Sequence, residues 1–164
     1  MPEIIDATPA DIPLIQSLAE RTWWPTYSSI VSDEQIRFML NAIYTPEALL
    51  TSMTEGAQQF ILIRDEHGVQ GFAAYGPRKE DATQFKLHKL YVLPENQGKG
   101  YGAKLIDEVK RRLLALNVHA LDLNVNRHNA AKNFYERVGF VVVYDEDVAI
   151  GPYWMNDYVM RITF

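Results

Sequence analysis

Between a strand-forming run and an amphipathic helix, this chain carries Gln97-Gly98-Lys99-Gly100-Tyr101-Gly102, a glycine-rich junction of a common kind that is moderately specific by itself. Phe85 to Val92 leads into it, with Leu90, Tyr91 and Val92 as good strand formers. Leu105, Ile106, Val109, Leu113, Leu114 and Leu116 follow at three- and four-residue intervals, the spacing of an amphipathic helix. Three glycines at the mouth of that helix let bare backbone N–H groups come close to a ligand. The first N–H groups of a helix have no intrahelical partner and carry the positive end of its dipole, which suits phosphate. Lys99 adds a full positive charge. The junction therefore reads as a holder of a phosphate-bearing ligand, with a pyrophosphate the best fit.

At 164 residues the chain is expected to form a single domain spanning 1–164, large enough to bury a core. A formal net charge of −5 argues against nonspecific nucleic-acid binding, so no nucleic-acid partner is expected. The absence of cysteine excludes a disulfide framework, a thiolate nucleophile and a cysteine-based metal site. Met1 to Asp11 has no basic region followed by an apolar run. No stretch approaches the roughly 20 apolar residues that cross a bilayer. The expected location is cytoplasmic, with no membrane partner.

Glu3 to Asp6 suits an opening strand, and Thr8-Pro9-Ala10-Asp11 a helix start. A helix through Ile12, Leu14, Ile15 and Leu18 is expected to run to about Arg21, leaving Trp23-Trp24-Pro25-Thr26-Tyr27 as an aromatic-rich connection. Ser32-Asp33-Glu34-Gln35 opens a second helix as a capping box, and Thr45-Pro46-Glu47 a third. Gln59–Arg64 and Val69–Tyr75 read as antiparallel strands around a turn at 65–68. Ala120–Val125 is a further strand, and Asn129–Val138 a helix closed by Gly139. Phe140–Tyr144 and Tyr158–Ile162 form the closing pair. This order predicts an α/β layer on a mostly antiparallel sheet, with one β-α-β passage in its middle.

Leu90-Tyr91-Val92, Pro94-Glu95-Asn96 and the glycine junction are followed about 27 residues on by Asn129, and then by Tyr135. That series resembles the GNAT superfamily of acyl-CoA-dependent N-acetyltransferases, whose signature is Q/R-x-x-G-x-G/A after a strand. Asn129 to Phe140 is similar to the family's second motif. The resemblance covers nearly the whole chain and implies a mixed sheet with a central, splayed parallel strand pair, flanked by helices. It implies acetyl-CoA as cosubstrate and a primary amine as acceptor, whether a small molecule such as a polyamine or a peptide amine, with direct transfer in a ternary complex. The backbone of Leu90, Tyr91 and Val92 would meet the pantetheine arm. Gln97, Gly98, Lys99, Gly100, Tyr101, Gly102 and Ala103 would wrap the pyrophosphate. Asn129 would bond the pantetheine, Lys132 could meet the nucleotide phosphate, and Tyr135 would aim its hydroxyl at the thioester sulfur. Trp23, Trp24, Tyr27 and Tyr153 would line the acceptor pocket. The last stretch of chain is loosely similar to bacterial polyamine acetyltransferases.

Each residue also has a plainer reading. The glycines could serve only a tight turn, Tyr135 only the core, and Asn129 only a helix cap. Gly98-x-Gly100-x-x-Ala103 also fits a loose dinucleotide fingerprint with Asp122 about 20 residues on, which leaves an oxidoreductase as a rival. A noncatalytic acyl-CoA-binding module is a second rival. His88 lies two residues before Leu90, so regular alternation puts His88, Leu90 and Val92 on one face. In several resembling enzymes this slot carries a general base. With an ordinary imidazole pKa near 6.5, its titration would give an acidic limb there unless burial or Lys89 moves it. Glu95 or a bound water is the alternative base. His67, His119 and His128 are scattered and offer no metal-ligand spacing, so no metal is expected. The acceptor, the acyl-chain preference and the oligomeric state do not follow from the sequence, and a homodimer stays open.

Overall fold

A computed structural model describes residues 1–164. Seven strands form one sheet in the order β1-β2-β3-β4-β5-β7-β6. They are β1 (Glu3–Asp6), β2 (Gln59–Asp65), β3 (Gly68–Pro77), β4 (Phe85–Val92), β5 (Ala120–Asn126), β6 (Val141–Ile150) and β7 (Tyr153–Thr163). Every neighbouring pair is antiparallel except β4 and β5, which α4 (Tyr101–Ala115) connects in parallel. Helices α1 (Ile12–Tyr27), α2 (Asp33–Ile43) and α3 (Pro46–Thr54) share one buried cluster with Phe60, Leu62, Phe72 and Met155. On the other face α4 and α5 (Ala131–Val138) pack on Ile61, Ile63, Leu87, Leu123 and Met160. The expected α/β layered architecture with a mixed, mostly antiparallel sheet is present.

Local chemistry starts the helices as expected. Ser32 Oγ accepts the Gln35 N–H at 3.1 Å and Thr45 Oγ1 that of Ala48 at 3.1 Å. The expected capping box at Ser32 is only half made, because the Gln35 side chain donates to the Trp154 carbonyl at 2.9 Å. The first helix does not stop near Arg21. It continues through Pro25, and the segment read as an aromatic connection is its last turns. Proline removes one intrahelical hydrogen bond, but Trp23 and Tyr27, four residues apart, are both buried in the first cluster and hold the turn in place. Thr22 and Thr26 hydroxyls donate back to the Leu18 and Thr22 carbonyls at 2.7 Å. The closing hairpin is also longer than expected. Asp145, Glu146 and Asp147 stay in β6, because the ladder to β7 runs unbroken past them to Ile150–Tyr153 and an outer strand tolerates charge.

The parallel pair is short. Its register holds only Lys86 opposite Asp122 and Leu87 opposite Leu123, although β4 runs on to Val92 and β5 to Asn126. The strands are joined at their N-terminal ends and part toward their C-terminal ends, where α4 and α5 begin. A buried ion triad closes the joined end. Asp122 is 2% exposed and accepts Arg78 Nη2 at 2.8 Å, Arg161 Nε at 2.6 Å and Arg161 Nη2 at 2.9 Å. Burial alone would raise the Asp122 pKa, but the hydrogen bonds and charges of Arg161 and Arg78 outweigh it and hold the carboxyl below its usual range. This use of Asp122 also removes it from any ribose-binding role, and with a single parallel pair the sheet does not form a dinucleotide-binding fold.

Removing the charge at Asp122 leaves buried Arg78 with only the exposed Glu80 as anion, at 3.3 Å. Asp122→Asn is expected to cost about 3–5 kcal/mol, a fall in Tm of about 10 °C for a domain of this size. Urea unfolding measures it, and an unchanged midpoint would show that the triad does not hold the joined end.

Candidate active site

The glycine junction lies at the open end of the gap. Gly98 (φ +87°) and Gly100 (φ +82°) occupy the left-handed region that side chains disfavour. An added Cβ at either would meet nothing within 4 Å, so the cradle faces open space. Gly102 serves packing instead: a Cβ there would sit 3.1 Å from Phe134 of α5. Gly100 is the N-cap of α4 and offers no side-chain cap. The first backbone bond of the helix runs from Lys104 N–H to the Gly100 carbonyl at 3.0 Å. The N–H groups of Tyr101, Gly102 and Ala103 therefore project from the helix end as free donors, the arrangement that binds phosphate.

Neighbouring side chains hold this turn firmly. Tyr101 donates to Asp65 Oδ2 at 2.6 Å, tying α4 to the β2–β3 turn. Gln97 Nε2 donates to the Val92 carbonyl at 3.2 Å. Lys99 Nζ donates to Asn96 Oδ1 at 2.9 Å, and buried Asn96 is itself hydrogen-bonded to Gln70. The Lys99 ammonium is thus tied to Asn96, next to the turn in sequence.

On β4 the expected alternation fails. Ala74 pairs with Lys89 and Tyr75 with Leu87, so His88 is an extra residue opposite no partner, a β-bulge. Leu87 consequently joins Leu90 and Val92 in the α4 cluster, while Tyr91 packs against the α1 cluster. His88 does not belong to the regular Leu90–Val92 repeat. Burial, and then the charges of Lys86 and Lys89, lower its pKa to about 4, against the smaller opposing effect of the Pro77 and Gly76 carbonyls. Its Nε2 is buried with no hydrogen-bond partner. With the ring proton on Nδ1, the neutral ring presents Nε2 as an acceptor. Lys89 points away, donating to Gln58 at 3.0 Å with its ammonium 5.3 Å from the Phe60 ring centre. Burial and Lys86 lower its pKa to about 8.

Four elements meet where the strands part. Tyr27 of α1 and Tyr91 of β4 share a hydroxyl hydrogen bond of 3.2 Å, and Trp23 stacks on Tyr27 at 4.6 Å. Burial raises the Tyr27 pKa; Tyr91 and Asn129 oppose this by hydrogen bonding, while Asp157 adds to it by charge. Burial and then Tyr27 raise the Tyr135 pKa, so its phenol keeps its proton. Tyr27 belongs to the cluster on one face of the sheet and Tyr135 to the other. Asn129 Oδ1 accepts the Ala131 N–H at 2.9 Å and so also caps α5, as its plainer reading expected.

Other candidates stand apart. Trp24 donates to Glu20 at 2.8 Å under the Arg37 guanidinium, turned from the Trp23–Tyr27–Tyr91 group. Tyr153 packs on Phe38 at 5.4 Å. Lys132 pairs with Glu136 at 3.1 Å, and Glu95 with Arg21 at 3.2 Å on the surface. The residue that sequence reasoning missed is Asp157, 8% exposed on β7 beside Asn126 of β5. Its spacing from buried Met155 and Val159 was the available signal of an inward-facing carboxyl.

Comparison with known proteins agrees with this geometry. The model of the acetyltransferase (GNAT) domain matches residues 28–160. An uncharacterized N-acetyltransferase of Mycobacterium tuberculosis is 26% identical over 147 residues, covering 89% of this chain and 93% of the relative. Spermidine N(1)-acetyltransferase of Thermoplasma acidophilum is 26% identical over 134 residues, covering 80% and 83%. The crystal structure of PaiA N-acetyltransferase from Thermoplasma acidophilum in complex with coenzyme A superposes with a TM-score of 0.84 at 25% identity, covering 100% of this chain and 99% of that one. With its single β-α-β passage, its parted strands and its free helix N-terminus, the chain belongs to the GNAT family of acetyltransferases.

Proposed function

We propose that the protein transfers an acetyl group from acetyl-CoA directly to a primary amine, of a small molecule such as a polyamine or of a peptide, held in the gap between β4 and β5. The observation that carries this reading is the free N-terminus of α4, with its open left-handed glycines, beside an unpaired strand edge from His88 to Val92. Acetyl-CoA supplies an activated thioester carbonyl. The N–H groups of the junction fit its pyrophosphate, and the open edge of β4 fits the amides of its pantetheine, as an added strand would. Lys132, paired with Glu136 at 3.1 Å, would have to leave that partner to meet the nucleotide.

The chain's own residues then account for the proton transfers. A protonated alkylamine near pH 7.4 is about one part in a thousand free amine, a deficit of roughly 4 kcal/mol, so an acceptor for its proton accelerates attack. His88, neutral through the physiological range, offers Nε2 for that proton. Tyr135 keeps its phenolic proton and delivers it to the leaving thiolate. The burial that raises the phenol also raises a thiol in the same gap, which keeps the two matched. With no cysteine in the chain, a thioester-linked acyl-enzyme cannot form. Direct attack in a ternary complex uses the proximity that the gap imposes.

Thiol release from acetyl-CoA on addition of primary amines tests the reading; binding of acetyl-CoA without release to any amine would leave the noncatalytic module instead. Gly100→Val places a side chain in the cradle and is expected to weaken acetyl-CoA binding by about 30-fold or more in calorimetry, since about 2 kcal/mol of charge-assisted hydrogen bonding is at stake. Tyr135→Phe is expected to lower kcat by about 10² to 10⁴-fold with acetyl-CoA affinity unchanged; a loss below about threefold would make the hydroxyl structural. For His88 the lowered pKa sets the sign. The ring is neutral above about pH 4, so its acidic limb in kcat/KM lies near 4 and not at the ordinary 6.5. His88→Ala is expected to lower kcat/KM across pH 5 to 7 without introducing a new limb there; an unchanged rate would pass the role to Glu95 or a bound water.

A further inference from the structure

Three hydrogen-bond acceptors lie on β4, β5 and β7 where the β4–β5 ladder ends. Asn124 fixes their arrangement. Its Nδ2 donates outward to Glu146 Oε1 at 2.8 Å and to Asp157 Oδ2 at 3.2 Å, which settles the orientation of the amide. Its Oδ1 is buried without a partner. The second acceptor is His88 Nε2, also buried without a partner, at the bulge where β4 leaves β5. The third is Asp157, whose carboxylate makes no ion pair within 4.0 Å and whose only side-chain hydrogen bond is to Asn124. Asn124 Oδ1 and His88 Nε2 thus have no donor and the Asp157 carboxylate has one, from Asn124, and buried acceptors left in this way cost free energy until something donates to them.

A primary ammonium group is the complement. It carries three N–H donors, no acceptor, and a positive charge for the one carboxylate. We propose that Asp157, held by Asn124, is the seat of the acceptor's ammonium group and selects cationic amines as acceptors; this rests on the acetyltransferase reading above. Asp157 acts by pairing with the ammonium and orienting its nitrogen, and Asn124 Oδ1 and His88 Nε2 accept its other protons. One proton passes from nitrogen to His88 Nε2 and the freed lone pair attacks the thioester carbon; as the C–S bond breaks, the thiolate takes a proton from Tyr135, and the second proton shed by the acylated nitrogen restores the Tyr135 phenol.

The surrounding charges permit this pairing. Lys86 from β4 faces the same groups, yet makes no ion pair within 4.0 Å, and its own pKa is lowered first by burial and then by Arg78, against Glu146 and Asp157. Glu146 on β6 adds a second negative charge, and Arg127 is engaged with Asp147 at 3.0 Å. Tyr27 on α1 stays neutral because burial raises it. Burial, then the charge of Glu146, keep the Asp157 carboxyl above its usual range, with Asn124, Lys86 and Arg127 opposing. A cation entering beside it relieves that penalty.

The test compares full-length wild type with Asp157→Asn, an isostere that removes the charge, and Asp157→Glu, which restores it. Thiol release from acetyl-CoA is followed near neutral pH with three probes: spermidine, n-butylamine, and hydroxylamine, which is largely uncharged there. Asp157→Asn is expected to raise KM for spermidine and n-butylamine by about 10- to 100-fold, the value of a desolvated charge-assisted pair. The hydroxylamine rate and the acetyl-CoA affinity should stay within about threefold, with Asp157→Glu recovering part of the loss for the cations. An equal loss for hydroxylamine would make Asp157 merely structural and overturn the proposal. So would a KM for the cations that moves less than about threefold. If wild type binds acetyl-CoA but releases no thiol with any probe, the acetyltransferase reading itself falls and takes this inference with it.

Discussion

Everything at the candidate site depends on two neighbouring parallel strands being joined at one end and held apart at the other. A parallel ladder left to itself would continue from Leu87 and Leu123 to the strand ends, because unpaired backbone groups away from water are costly. Two devices prevent that. The Arg78–Asp122–Arg161 triad pins the N-terminal ends, with both arginines on one buried carboxylate. The extra residue at His88 then bends β4 just after the last paired position. Past the bulge, Tyr91 of β4 meets Tyr27 of α1 through their hydroxyls at 3.2 Å. The unpaired strand edge that results is a binding surface for something with alternating amides.

The electrostatics of the opening follow from its dryness. Burial keeps the phenols of Tyr27, Tyr91 and Tyr135 protonated and His88 neutral, and it lowers Lys86 and Lys89. Most of the titratable groups near the gap are thus driven toward their uncharged forms. Asp157 is pushed the same way, with Asn124, Lys86 and Arg127 working against that push. A site of this kind distinguishes a charged from an uncharged ligand strongly, since little solvent is present to screen the difference.

The parts of this design that were legible in sequence are those set by local chemistry. Positive φ at Gly98 and Gly100 is a local demand, and the helix caps at Ser32 and Thr45 are local hydrogen bonds, so residue type alone announces them. The misread parts depend on partners far along the chain. Pro25 marks a helix end by its own chemistry, yet burial of Trp23 and Tyr27 against the sheet carries the helix past it. The acidic run 145–147 looks like a turn until β7 supplies its ladder. The bulge at His88 is written in the register against β3 and not in β4, so simple alternation assigned His88 to the wrong repeat. Asp157 was overlooked because a carboxylate in a polar stretch usually faces water, although Met155 and Val159 at two-residue spacing place it inward.

The two ends of the site have opposite polar character, and that contrast orders the reactants. At the α4 end the protein offers donors: three free N–H groups and, beside them in sequence, the Lys99 ammonium, while the nearby Asp65 carboxylate is engaged by the Tyr101 hydroxyl. At the β5–β7 end it offers acceptors: Asn124 Oδ1, His88 Nε2 and Asp157. A phosphate-bearing ligand is complementary only to the first and an amine only to the second. Between them lies the gap, so a ligand anchored at each end meets the other in the middle. On the reading proposed here, the direction of attack is therefore built into the sheet: the amine nitrogen arrives from the α1 face, the thioester from the α4 face. Tyr135, rooted on the thioester side, is where the departing sulfur needs its proton. A shift of the bulge by one residue would bring the strand back into pairing and close that path, which makes the register of β4 on β3 as much a catalytic feature as any side chain.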